Sequence, residues 1–421
     1  MRQLAVNNGG AGGRHRGAAL VAALAVGALA VGGCAGAKTS SGSTSSRLTV
    51  GISLSLTGGF ADPGRAAKRG YDLWADTVNA NDGVLGRKIQ LKVLDDGSEP
   101  ERAVANYETL IGTEHVDLVL GPFSSKLTIP SSQVAAKHGY AFIEPAGGSP
   151  KVFEQQLNNL FFVQPAPVDE QGAVFANYIL SLPTESIPKT AAYPALDDPF
   201  AQPIADRVRE LFEAAGIKTV YSRTYAEGAD LKPVVAEMAA ANPEVVVAAT
   251  QSVDGYALVG DLIQLRWAPK RLYVANGANS PVEFPAKVGK ENVNGIFSSG
   301  DWFPGSNASG SAVFVGAYLK KYGGSVADID NTSVEAYSAG SLIEQVATKT
   351  GKIDNATIIE TLHAGTWPTP VGDLSWDARG APVGSYMLFQ WIDGKLQSIY
   401  PPGRAQHAPD SAPLPWVKST P

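Results

Sequence analysis

Apolar positions along the chain follow two alternating periods. Leu48-Thr-Val-Gly-Ile-Ser-Leu54 has strand-type alternation and stops at the turn Thr57-Gly58-Gly59. Residues 66–79 switch to a helical period, with Tyr71, Trp74, Ala75 and Val78 on one face. Lys88–Leu94 alternates again and ends at Asp95-Asp96-Gly97; residues 99–111 predict a helix. Val116-Asp-Leu-Val-Leu120 is short and almost continuously apolar, as expected of a parallel strand covered on both faces. The same order returns further on, with helices predicted over 168–182, 200–215, 231–241 and 255–265, and strands over 190–193, 217–225, 244–249 and 271–275. Repeated β-α-β units require parallel sheets with right-handed crossovers. Two such series, separated by a polar, proline-containing stretch near Gln164–Asp169, predict an α/β protein of two Rossmann-like lobes.

The chain's start does not fit this grammar. Arg2, Arg14 and Arg16 precede the 14-residue apolar stretch Ala18–Val31, which is short of the roughly 20 residues a bilayer span needs. Val31-Gly32-Gly33-Cys34 follows and resembles a bacterial lipobox. Residues 1–33 are therefore expected to be a lipoprotein signal peptide. Cys34 becomes the lipidated first residue, and 34–46 form a Ser/Gly-rich linker. This order predicts an exported protein, lipid-anchored to the outer face of the bacterial cytoplasmic membrane, at a cell surface or in a periplasm.

Composition narrows the function. Of 34 basic residues, three lie in the leader, leaving 31 against 40 acidic ones. That balance excludes a nucleic-acid partner, which needs a basic face. The single cysteine allows no internal disulfide, so the core must hold the fold. His15, His115, His138, His363 and His407 are scattered and match no metal-ligand spacing. No nucleophile elbow or phosphate loop follows a strand. The expectation is a protein without catalytic residues, cofactor or metal.

Two strand exits have the composition of ligand loops. Gly121-Pro122-Phe123-Ser124-Ser125 follows Val116–Leu120. With Pro130 unable to donate, the helix after it is expected to begin near Thr128, leaving Ser124–Leu127 as loop. Pro145-Ala146-Gly147-Gly148-Ser149-Pro150 follows Tyr140–Ile143, and Ser149-Pro150 is a helix start. Each loop is also readable as a plain cap or turn. Because they follow adjacent units, they are expected to converge on one anion, a carboxylate.

Leu48–Leu54 with Thr57-Gly58, then Asn79-Ala-Asn-Asp-Gly83-Val-Leu-Gly86-Arg87-Lys88 and Asp95-Asp96, resembles the opening of type I periplasmic binding proteins. The resemblance is to the Leu/Ile/Val-binding branch that serves ABC importers. Val371–Gly380, Ser385–Trp391 and Asp393-Gly394-Lys395 are similar to that branch's late segments, so the likeness runs from about 47 to 400. It implies two lobes joined by three crossovers, near Gln164–Val168, Phe297–Trp302 and Pro370–Leu374. Residues 47–166 plus 300–370 would form lobe one and 167–299 plus 371–400 lobe two; by composition alone, the Pro-rich, aperiodic 401–421 is expected to be an extended or disordered tail. The family's carboxylate-binding serine falls on Ser125, beside Ser124; its carbonyl on Ala146; and its second hydroxyl on Gly148, with Ser149 as substitute donor. Its lobe-two contacts fall on Phe200 and Gln251, and its ammonium-pairing acid near Asn276–Gly277, where no carboxylate stands. Asp197 and Asp198 are alternative partners for an ammonium, and Trp302 would stack on an aromatic ring. The implied role is capture of a small carboxylate-bearing solute, a branched-chain amino acid or relative, for an ABC permease in the membrane. An aromatic acid or amide without a free amine is the alternative ligand, and a ligand-presenting sensor module the alternative role.

Overall fold

The computed structural model describes residues 47–417, so the leader, Cys34 and the whole linker lie outside the described residues. The first lobe is built on β1 (Arg47–Leu54), β2 (Lys88–Asp95), β3 (Leu118–Leu120), β4 (Phe142–Glu144) and β5 (Leu160–Phe162), in the order β2-β1-β3-β4-β5. All its pairings are parallel. Leu48, Val50, Ile52 and Leu54 are fully buried on alternate positions of β1, toward Trp74, Val334 and Leu342 of the covering helices. In β3, Leu118 and Leu120 join that core, whereas Val119 faces the opposite one, so both faces are dry.

The second sheet contains β6 (Thr190–Leu196), β7 (Lys218–Tyr225), β8 (Val245–Ala248), β9 (Arg271–Val274) and β10 (Phe297–Gly300). After the small pair β11 (Trp367–Thr369) and β12 (Gly372–Leu374), β13 (Met387–Ile392) and β14 (Lys395–Tyr400) complete it. Its order is β14-β13-β10-β9-β8-β6-β7, parallel except for the antiparallel edge that β13 and β14 add to β10. The chain passes between lobes after β5, after β10, and between Trp376 and Tyr386. Val371, Leu374 and Trp376 pack in the core that holds Leu48 and Leu54, and Met387 begins a strand of the second sheet, which brackets the third passage. Tyr386 ties this passage to the first one, its hydroxyl lying 2.7 Å from the Ala166 carbonyl and 2.8 Å from Gln164 Oε1.

Beyond Arg404 the described tail has no helix or strand, and it is packed rather than disordered. Leu414 is buried in the second core, and Trp416 Nε1 donates to the Trp267 carbonyl at 2.9 Å. The Gln390 amide also donates to and accepts from the backbone of Asp410. Two large apolar side chains outweigh the lack of periodicity. No helix among the described residues is long and apolar enough to cross a membrane.

Candidate functional site

The carboxyl ends of both sheets face one cleft. A backbone bridge between Phe123 and Ala146 extends the β3–β4 pairing beyond the strands, and the Ser124 N–H donates to the Ala146 carbonyl at 3.1 Å. The two loops therefore lie side by side, as expected of neighbouring strand exits. Helix Ser125–Lys137 begins three residues earlier than expected. Ser124 caps it, its Oγ accepting from the Lys126 N–H, while the Leu127 and Thr128 N–H groups donate to the Ser124 carbonyl. Pro130 lies inside this helix, where it cannot donate to the Lys126 carbonyl. The Leu127 and Thr128 N–H groups are thus not available to a ligand. Ser124 has φ +82°, a strained value for a residue with a Cβ.

The second loop fits by having no side chains. A Cβ on Gly147 would lie 2.2 Å from Thr128 Oγ1, and one on Gly148 2.1 Å from the Phe162 ring. Gly148 is thus set by packing, leaving no room for the family's hydroxyl. Beneath the loop, Glu144 Oε2 accepts from the Ala146 N–H at 2.9 Å. Its burial pushes the carboxyl up to about 8, against the lowering effect of the Ala146 and Gly147 N–H groups.

On the second lobe, Asp198 Oδ1 accepts from the Phe200 and Ala201 N–H groups and from Gln251 Nε2. Gln251 Oε1 accepts from Asn276 Nδ2, and Asn276 Oδ1 from the Gly277 N–H. This polar chain fixes the wall on which the family's ammonium-pairing acid would stand. Asp198 is occupied as a cap and tether, and it does not line the inner cavity.

Ser124, Ala146, Phe200 and Gln251 come together around that cavity. Ser125 and Ser149 lie one layer behind it: the Ser149 N–H donates to Ser125 Oγ at 3.0 Å, and Ser149 Oγ accepts from the Lys151 N–H. Gly148 is also behind, its carbonyl accepting from the Val168 N–H. Trp302 is core, its Nε1 donating to Ser311 Oγ and its ring packing edge-on to Phe314, so it offers no stacking face to the cleft. Ring burial beside a second aromatic outweighed its closeness to a crossover.

The sequence reading missed the acid that does line the cavity. Glu335, 5% exposed, projects from helix Asn331–Thr350, which covers the first sheet. Burial, then repulsion from Asp301 and Asp330, holds its carboxyl well above the usual range, with a Gln164 hydrogen bond opposing. Nearby, Asp301 Oδ1 accepts from Asn331 Nδ2, and burial pushes that carboxyl to about 7. The available signal was spacing: Asn331, Thr332 and Glu335 share one helical face, and all three line the cavity.

The cavity encloses about 40 Å³, room for only a few waters. Ser280 Oγ donates to Asp330 Oδ2 across the lobes at 2.9 Å, and Lys126 Nζ pairs with Glu227 at 2.7 Å. Both contacts hold the two walls of the cleft together. Among the described residues no group of three or more His, Cys, Asp or Glu is arranged to hold a metal ion.

A family model described as periplasmic binding protein matches residues 47–395. An amino acid binding protein of Pseudomonas aeruginosa is 26% identical over 84% of this chain and 92% of its own length. Leu/Ile/Val-binding protein homolog 1 of Brucella suis is 25% identical over 85% and 95%. Among solved structures, the branched-chain amino acid transporter substrate-binding protein LivJ of Streptococcus pneumoniae, in complex with isoleucine, superposes with a TM-score of 0.74. It is 20% identical over 84% of this chain and all of that one. An ABC transporter solute-binding protein of R. palustris, in complex with benzoate, gives 0.73 at 20% identity over 84% and 95%.

Proposed function

Since the chain belongs to the periplasmic binding protein family, whose members bind solutes rather than turn them over, we propose that it is the lipid-anchored solute-binding component of an ABC importer. Its cargo is a small solute with a carboxylate and a protonated amine, an amino acid or close relative. The observation that carries this reading is the pairing of Ser124 and Ala146 with a nine-tenths buried Glu335 around one cavity. Ser124 and the loop backbone suit a carboxylate; Glu335 suits an ammonium, which relieves the cost of a buried anion without a counter-charge. Capture closes the cleft because the ligand bridges both walls, and it shifts the lobes only by its preference for the closed form. The closed form then docks on a membrane permease, near which lipidation of Cys34 keeps it.

Benzoate in one structural relative, together with neutral Asn276 on the second wall, supports the alternative of an amine-free aromatic acid. Calorimetry and thermal shift with leucine, isoleucine, valine and benzoate separate the two. A ligand at a hundred times its dissociation constant adds about 2.7 kcal/mol of stability. Amino-acid binding lost in Glu335→Gln supports the first reading; benzoate binding alone replaces it. Cys34→Ala moving the protein from membrane to soluble fraction tests the anchor.

A further inference from the structure

A second chamber of about 440 Å³ opens between the lobes and meets the inner cavity at Gln251. Its size suits part of a small ligand, which the inner cavity alone does not. Phe60 and Lys126 contribute from the first lobe; Asp198, Glu227 and Asp254 from the second. Asp197 lies at its rim, so four carboxylates face one ammonium. That ammonium is already engaged, with Lys126 Nζ on Glu227.

The acids alone would be unremarkable, since carboxylates gather at many loop ends. Asp254 is different. It is only 8% exposed and lines the chamber, yet among the described residues its carboxylate accepts only from its own backbone N–H. Its charged neighbours are Glu227 and Asp198, both repulsive, and burial with that repulsion pushes it up to about 6. Beside the same two aspartates, the buried Tyr225 hydroxyl has no hydrogen-bond partner. An uncompensated buried anion is costly, and a cation entering the chamber removes the cost. The acids are not arranged for a metal ion, so the fitting cation is organic.

We propose that this outer chamber is a subsite for a cationic nitrogen group, a protonated amine or guanidinium, on a ligand whose other end occupies the inner cavity. This rests on reading the cleft as a solute site, and it assigns the solute to the cationic amino acids rather than the branched-chain ones. Asp254 takes the cation, Glu227 shares it, and the Phe60 ring lines the path of the ligand's apolar stem.

The test is calorimetry on the full chain with lysine, norleucine, leucine, benzoate and agmatine. Norleucine matches lysine's stem without its charge, and agmatine carries a cation without a carboxylate. Lysine binding at least tenfold tighter than norleucine, with the ratio falling to near one in Asp254→Asn and reduced in Glu227→Gln, supports the subsite. The second variant lies at the surface and guards against misfolding of the first. Lysine binding no better than norleucine overturns the subsite, while norleucine or leucine binding then leaves the proposed function standing. Agmatine binding that depends on Asp254, with no carboxylate bound, keeps the subsite and removes the carboxylate reading. No binding by any of the five overturns both. Calcium binding that protects Asp254 and excludes lysine overturns the organic cation.

Discussion

Glu144→Gln isolates one buried charge. The carboxyl sits at the end of β4 under the second loop, fully buried, with Oε1 lacking a partner and Oε2 accepting from the Ala146 N–H. Burial raises it from 4.5 to about 8. A carboxyl raised in the folded state keeps its proton there after the unfolded chain has lost it. Its contribution is therefore whole below 4.5 and is lost as pH rises through about 8. At about 1.4 kcal/mol per tenfold change in proton activity, this group alone costs the protein about 2 kcal/mol between pH 6 and pH 8. Glutamine keeps an oxygen for Ala146 and cannot ionise, but it buries an unpaired amide hydrogen. The absolute stabilities thus carry an offset, and the pH slope carries the information. Urea unfolding of both proteins at pH 6, 7 and 8 should show the native protein losing about 2 kcal/mol more than the variant. Equal slopes would mean that the Ala146 and Gly147 N–H groups hold the anion comfortably, and the reasoning would be refuted.

Other changes test the loops, the closure and the tail. Ser124→Gly should relieve the strain of φ +82° at a small cost in capping, raising fold stability by about 1 kcal/mol in urea unfolding while weakening ligand binding in calorimetry. Gly148→Ser should destabilise by about 1–3 kcal/mol because its Cβ meets the Phe162 ring, and Phe162→Leu should restore part of the loss. Ser280→Ala removes a bond between the lobes, so ligand affinity should fall several-fold with little change in unfolding. Deleting residues after 409 exposes the surface that Leu414 and Trp416 cover, and should cost about 2 kcal/mol or more in thermal unfolding.

What the sequence made legible was local. Val116–Leu120 reads as a strand because its side chains must be dry on both faces, and its loop follows from where the strand ends. The partnership of Ser125 with Ser149 was not legible, because it depends on how closely two loops approach. Glycines at 147 and 148 permit that approach without announcing it. Trp302 shows the opposite error: position near a crossover says nothing about which way a ring turns. Glu335 was hidden for a third reason. It reaches the cavity from a helix almost two hundred residues beyond the loops it faces, and on a helix an acid usually points to water.

That acid leads to a test of closure itself. Glu335 faces Asp301 and Asp330, with Gln164 as its hydrogen-bond partner and Asn276 on the opposite wall; Arg404 acts on Asp301. Among the described residues no cation neutralises Glu335, and burial raises its pKa, so closure without ligand favours the protonated carboxyl. A ligand ammonium beside it supplies the missing charge and lowers the pKa, so that proton must leave. Amino-acid binding at a pH where the empty protein keeps that proton should therefore release it. Calorimetry in phosphate and in imidazole buffer would show it as a heat that changes with the buffer's ionisation enthalpy, and Glu335→Gln should abolish the difference. Equal heats in both buffers for the native protein, with affinity intact, would mean that the ammonium is held elsewhere and that Glu335 stays protonated beside its ligand.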